Sequence, residues 1–346
     1  MKTAEHLATE LLERDRKAEH IRLALDERMQ LRSHFFDGYA FEHNALPELD
    51  YAEIDTSVGF LDKPLAAPFL ISGMTGGTES AGRINRNLAA AAERSRVAMG
   101  VGSQRKALED PGQVATFQVR DAAPTVPLLA NLGAVQLNYG FGVEECRRAV
   151  GMVDADALVL HLNVLQEAIQ PEGQTNFAGI LPKMGSVAEA LEVPVIAKEV
   201  GCGISASTAV QLMERGVHII DTAGLGGTSW ARIEARRAGD LDLGELFADW
   251  GIATPESIRQ LAEVEGLTII GSGGLRNGLD AAKAIALGAD LVGMAFPFLG
   301  PATDSADRVV EKIGRTVREL KIAMLCLGAR TVPELKQVSL VKRSDG

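Results

Sequence analysis

The chain has 346 residues, 46% of them apolar, and a formal net charge of −11. That length admits one large α/β barrel or two average domains, with a sizeable core in either case. The negative balance argues against a general nucleic-acid surface but leaves room for a small anionic ligand held by a local cluster of cations. No run of about 18 uncharged apolar residues occurs, so no membrane-spanning helix is expected. The N-terminal stretch MKTAEHLATELLERDRKAEH carries charges where a secretion signal needs an apolar centre. Cys146, Cys202 and Cys326 lie far apart and without metal-ligand spacing, and a reduced, cytoplasmic protein is expected.

Residues 3–32 alternate apolar and charged positions at helical spacing, which predicts one or two amphipathic helices. Residues 34–62, with Phe35, Phe36, Tyr39 and Phe41, read as a connector carrying a short hairpin. Eight apolar runs follow, at Pro68–Met74, Ala98–Gly102, Pro127–Leu132, Ala157–Leu162, Val193–Ala197, His218–Ala223, Thr268–Ile270 and Leu291–Ala295. Each is rich in Val, Ile, Leu or Ala without alternation, the pattern of parallel strands covered on both faces. Helical segments separate most of them, most clearly at 79–95, 142–153, 205–215, 255–265 and 278–287. The count predicts an α/β fold, a (β/α)8 TIM barrel with an N-terminal helical extension. The chain then divides into 1–62, a helical segment and connector that closes on substrate, and 63–346, a barrel with a C-terminal helix. A doubly wound open sheet is the alternative. Polar residues at the C-terminal end of every run favour the closed ring, which faces one ligand.

Those ends carry the candidate chemistry. Gly271, Gly273 and Gly274 let backbone N–H groups approach an anion, and the helix from Gly278 presents its positive end. In such barrels the loops after strands seven and eight are the usual phosphate site. Lys198 ends VPVIAK, a poor place for a solvated lysine. It could form a Schiff base with a carbonyl substrate or act as electrostatic partner to an anionic cofactor. His161 and Asn163 share a face if strand four continues that far, and Gln166 and Glu167 follow in the loop. Glu167, a lone carboxylate, suits Mg²⁺ bridging to substrate phosphates, because that ion keeps most of its waters; its bland reading is a solvated loop glutamate. Arg16, Lys17 and His20 are either ordinary exposed side chains or a lid bringing cations to a diphosphate. Ser103, Gln104 and Arg105 offer a hydroxyl, an amide and a cation, and Arg can hold a phosphate bidentately. Trp230 and Trp250, in the long connection after strand six, read as satellite core. Cys202 has no activating base beside it and reads as structural.

Ten segments stand in one order along the chain: RKAEHI, MTGGT, GSQR, ANLGA, HLNVLQE, PEGQTNF, KEVGCGIS, DTAGLGGTSW, GSGGLRNG and GADLVGMAF. Together, from about residue 14 to beyond 330, they resemble the type 2 isopentenyl diphosphate isomerases, which are FMN-dependent (β/α)8 barrels. The resemblance implies a reversible shift of a double bond between isopentenyl and dimethylallyl diphosphate, a step of isoprenoid biosynthesis. It implies reduced FMN and Mg²⁺, no net redox change, and NADPH or another reductant for the flavin. By matching motifs it places Met74, Thr75, Gly76, Ser103 and Asn131 along the flavin and Lys198 at its N1–C2 edge. Thr228, Gly274, Leu275, Arg276, Ala295 and Phe296 would hold the FMN phosphate. Arg16, Lys17, His20, Ser103, Gln104 and Arg105 would bind the diphosphate substrate. Gln166 matches the active-site glutamine and Glu167 the Mg²⁺ ligand, with His161 and Asn163 in supporting catalytic contacts. A homo-oligomer, tetramer or octamer, is implied, with no nucleic-acid or membrane partner.

Ala253 stands where the family pattern has proline, and Gln174 where aspartate is common. Two rival readings fare worse. A 2-hydroxy acid oxidase of the same fold would carry His-Gly-x-Arg late in the barrel, and no histidine follows His218. A non-catalytic flavin or phosphate binder would be free to lose Arg16, Lys17, Gln166 or Glu167, and all are present.

Overall fold

Eight short strands, too apolar to face water on either side, close on one another. They are β1 (Phe69–Ile71), β2 (Ala98–Gly100), β3 (Leu128–Gly133), β4 (Ala157–Leu162), β5 (Val195–Glu199), β6 (Ile219–Asp221), β7 (Thr268–Ser272) and β8 (Leu291–Met294). In this computed structural model, which describes residues 19–31 and 34–343, they pair in parallel and in chain order. Val292 of β8 stands opposite Phe69 of β1 and completes the ring. That closure decides for the (β/α)8 barrel against the open sheet.

Helices pack around the ring where the sequence supplies caps and an apolar face. Glu79–Ser95 is representative: Thr78 Oγ1 accepts from Ala81 N, and Ala81, Ile84, Leu88 and Ala92 bury one stripe. Arg96, left-handed at φ 50°, ends it.

The interior of the ring is filled at one end only. Leu70, Ala98, Leu129, Ala157, Ile196, Ile270 and Leu291, mostly from the first halves of their strands, form a cluster with Phe60 and Leu65. The last two come from an antiparallel ribbon, Val58–Phe60 with Lys63–Leu65, which caps the N-terminal end of the barrel. This is the hairpin expected in the connector, and it straddles the expected boundary between residues 62 and 63. The C-terminal end stays hollow.

Some strand ends differ from the apolar runs. β5 extends through Lys198 and Glu199, and β7 through Ser272, because the polar residues there find partners inside the barrel wall. β2 and β6 stop short of Gly102 and Ala223.

The N-terminal segment crosses the hollow end. Residues 19–24 are helical, and Leu31 N then donates to Gly227 O at 2.9 Å while Ser229 N donates to Met29 O at 2.8 Å. Lys283 Nζ donates to Phe36 O at 2.8 Å. Tyr39–Phe41 pairs antiparallel with Leu340–Lys342, so the two ends of the described chain meet. Among the described residues no helix is long and apolar enough to cross a membrane.

Candidate active site

A cavity of about 300 Å³ opens at the C-terminal ends of the strands, within the size range of small-molecule sites. Every strand end contributes to it, as the closed ring requires. Met74 and Thr75 follow β1, Ser103 and Arg105 follow β2, Asn131 lies on β3 and His161 on β4. Lys198 ends β5, Thr228 follows β6, Gly274, Leu275 and Arg276 follow β7, and Ala295 and Phe296 follow β8. Asn163, Gln166 and Glu167 line the wall after β4, and His20 reaches it from the N-terminal segment. Arg16 and Lys17 lie outside the described residues.

Two expected contacts are not on the cavity wall. Gln104 is fully buried, its Nε2 donating to Ala149 O at 2.8 Å and its Oε1 accepting from Asn131 N at 2.8 Å. One end of the amide braces β3 and the other the helix Val143–Val153, so the group expected on the diphosphate is engaged inside the wall. Gly76 turns to Phe117, where an added Cβ would fall 2.0 Å from the ring. The missing side chain lets the loop pass close to that aromatic.

Around Lys198 the wall is charged but balanced. Its Nζ lies 3.2 Å from Asp221 Oδ1, across the β5–β6 register, and Asp221 is almost fully buried. That oxygen also accepts from Ser272 Oγ and from Ala223 N at 3.3 Å. Opposite, His161 Nδ1 hydrogen-bonds Asn131 Oδ1 at 2.8 Å, fixing the ring at the cavity edge.

The glycine turn after β7 is built for close backbone approach. Gly273 and Gly274 hold φ 108° and 74°, and a Cβ on Gly274 would lie 2.3 Å from Gly226 backbone atoms. The helix expected to receive the anion, Gly278–Ala286, is already capped: Asn277 Oδ1 accepts from Asp280 N, and Glu319 Oε2 accepts from Gly278 N. The next helix, Phe296–Asp304, has Ala295 at its N-cap and so no side-chain acceptor for its first N–H groups. Its positive end lines the same cavity as the glycine turn, an arrangement that can receive an anion.

Across the cavity a second network centres on Glu234, from the helix Trp230–Ala238. Glu234 Oε1 accepts from Gln166 Nε2 at 2.9 Å and stands 3.0 Å from His20 Nε2, and Oε2 meets Arg237 Nη1 at 2.5 Å. Burial pushes this carboxyl up, but His20, Gln166 and Arg237 outweigh it and hold it at about 2. Asn163 Nδ2 donates to Glu167 Oε1 at 2.9 Å and reaches Gln166 Oε1 at 3.3 Å. Glu167 Oε2 accepts from Gln170 Nε2 at 2.5 Å and Gln174 N at 2.6 Å. The Gln174 side chain in turn accepts from Gln136 Nε2 at 2.8 Å and Arg105 Nη1 at 3.4 Å.

Trp230 departs from the satellite-core reading, since it lines the cavity and stacks edge-on to His20 with ring centroids 5.4 Å apart. Trp250 is exposed. Burial pushes the Cys202 thiol up to about 12, which removes it as a nucleophile at neutral pH.

A protein named isopentenyl-diphosphate delta-isomerase from Nostoc sp. is 49% identical to this chain over 334 residues, 95% of each. One of that name from Synechococcus sp. is 52% identical over 317 residues, 90% of this chain and 91% of its own. The chain belongs to the isopentenyl-diphosphate delta-isomerase family. A family model described as FMN-dependent dehydrogenase matches residues 173–342 of this isomerase-family chain. Among solved structures, a lactate oxidase from Pediococcus acidilactici superposes with a TM-score of 0.68 at 18% identity, covering 90% of this chain and 85% of its own. A mandelate oxidase variant gives 0.65 at 17%, covering 94% and 92%. At that identity the isomerase family shares with the oxidases a fold, and nothing further follows from it.

Asp221, Glu234 and Ser72 were passed over by the sequence reading of this isomerase-family chain. Ser72 Oγ is buried on the cavity wall with no hydrogen-bond partner among the described residues. A signal existed for Asp221, a carboxylate inside the apolar run HIIDTAG, but its place opposite Lys198 on the adjacent strand is visible only with the register. Glu234, in WARIEARRA, carries none, since that pattern reads as an ordinary solvated helix face.

Proposed function

We propose that this protein interconverts isopentenyl and dimethylallyl diphosphate, using reduced FMN and Mg²⁺ and regenerating both without net redox change. The observation that carries the reading is one cavity that joins the uncapped helix end at Phe296, the balanced cation Lys198 and the Gln166–Glu234–His20 network. The family supports FMN, and the wall fits it. Ser72 Oγ and Asn163 Oδ1, buried and without a partner among the described residues, are polar atoms that a polar ring edge or substrate would satisfy. Gly274, Leu275, Arg276, Thr228, Ala295 and Phe296 would hold the phosphate, and Met74, Thr75, Ser103, Asn131 and Lys198 the ring.

When bound, reduced FMN would supply an electron-rich face and a protonable nitrogen, which suit the tertiary carbocation character that protonating the double bond creates. The chain's own residues do the rest. Lys198 would hold an anionic ring, and Trp230 and His20, which line the same cavity, would exclude water from the substrate. Glu234, held at about 2, keeps its charge at neutral pH, so it orients the Gln166 amide instead of taking a proton. Glu167 would bind Mg²⁺ with its remaining lone pairs, the metal completing its shell with waters and substrate phosphates. Arg105, and Arg16 and Lys17 from the N-terminal segment, would meet the diphosphate. NADPH or another reductant feeding the flavin, and a tetrameric or octameric state, complete the reading on the family resemblance.

The test is anaerobic incubation with FMN, a reductant, Mg²⁺ and isopentenyl diphosphate, following dimethylallyl diphosphate. We expect product only with reduced flavin, and a loss of at least tenfold in kcat/KM for Glu167→Gln that added Mg²⁺ partly restores. Normal flavin binding and reduction without product would overturn the isomerase reading and leave a flavin barrel with another substrate.

A further inference from the structure

Lys198 does not stand alone at the cavity wall. Its ammonium shares Asp221 Oδ1 with the Ser272 hydroxyl and the Ala223 amide, a cluster drawn from the neighbouring strands β5, β6 and β7 and the loop just after β6. Asp221 is 1% exposed, so its charge is tolerable only because these donors surround it. Lys198 is largely buried too, and without Asp221 it would be a bare cation whenever the cavity holds a neutral group.

We propose that Asp221 is the positioning residue for Lys198: it fixes the ammonium and cancels its charge, so the pair sets how strongly the site favours reduced over oxidised flavin. This rests on the FMN reading above. The physical content is a competition. An oxidised ring is neutral, and a wall with no net charge accepts it without leaving an ion unpaired. An anionic reduced ring becomes a second claimant on the same ammonium, and Asp221 opposes it as a nearby like charge. Asp221 therefore moderates the preference for reduced flavin that Lys198 alone would impose. Asn at this position keeps an oxygen to accept from Lys198, Ser272 and Ala223 but removes the charge, so it separates charge from placement.

The experiment loads wild type, Asp221→Asn, Lys198→Met and the double variant with FMN and measures the two-electron midpoint potential by anaerobic dye equilibration. For Asp221→Asn we expect the ratio of oxidised to reduced FMN dissociation constants to rise about tenfold, read as a potential about 30 mV more positive. Lys198→Met should move it the other way. In the Lys198→Met background, Asp221→Asn should change the potential much less, because there is no ammonium left for the carboxylate to place and balance. Ser272→Ala, which leaves the carboxylate with one donor fewer for the same charge, should shift the potential negative and serves if Asp221→Asn does not fold. A potential unmoved in Asp221→Asn and Ser272→Ala, or an equal Asp221→Asn shift with and without Lys198, overturns the proposal while FMN binding stands. Wild type that binds no FMN overturns the flavin reading and this inference with it.

Discussion

Glu234 is the residue whose setting departs furthest from its sequence context. It lies in EARR on an amphipathic helix, where a solvated glutamate is the ordinary expectation, yet its side chain is completely buried. Its carboxyl is held at about 2 against a usual 4.5. A carboxylate depressed in the folded state stabilises the fold above its unfolded pKa, and that contribution is lost as pH falls through the folded value. Glu234→Gln should therefore lower stability by roughly 3 kcal/mol at pH 7, since Arg237 and His20 lose their buried partner. The deficit should shrink as pH falls from about 4.5 towards 2; urea unfolding across that range measures it. A deficit independent of pH would mean that the carboxylate's charge is not what matters. Lys198 was legible from sequence because a cation at the end of an apolar run is conspicuous. Its partner Asp221 was not, because pairing depends on register between strands that are about 20 residues apart in the chain.

The glycine turn and the two helices that follow it show what element-level reading can and cannot reach. The sequence pointed to the loops after β7 and β8 through Gly273, Gly274 and the small Ala295. It chose the helix at Gly278 as the anion's partner, because periodicity marks that helix clearly. What periodicity does not register is occupancy: Asn277 and Glu319 already bind N–H groups of its first turn, whereas the equally long helix at Phe296, with Pro301 inside it, has no side-chain cap. The strand ends have a similar cause. An apolar run ends at the first charge, but a strand ends where its hydrogen bonds do, and Lys198, Glu199 and Ser272 remain inside it. Gly274→Ala puts a Cβ 2.3 Å from Gly226 backbone in a left-handed conformation. The expected result is a fall of at least tenfold in FMN affinity by fluorescence titration, with a stability loss of about 2 kcal/mol. Unchanged affinity would remove the turn from the phosphate site.

At the scale of the molecule, the barrel keeps stability and chemistry at opposite ends. Phe60 and Leu65 close the N-terminal end with the inner apolar cluster, and the cavity takes the other. Phe60→Ala should cost about 3–4 kcal/mol in denaturant unfolding. FMN affinity of the folded variant should stay within twofold of wild type, and a large drop would mean that the two ends are coupled. The eight-strand architecture was legible because fully buried parallel strands leave uninterrupted apolar runs; the ribbon was legible as a hairpin in the connector, but its plugging role rests on the packing of Phe60 and Leu65 against the inner cluster.

The path of residues 19–31 and 34–38 has a consequence for how the molecule is made. This segment leaves the ribosome before any strand of the barrel, yet its hydrogen bonds run to Gly227, Ser229 and Lys283, some 200 to 250 residues later. Contacts so distant in sequence form late. The covering of the cavity must therefore wait, without its partners, until most of the barrel has been synthesised and has closed. A nascent chain stalled before residue 227 would have its first residues ready and nothing for them to cover.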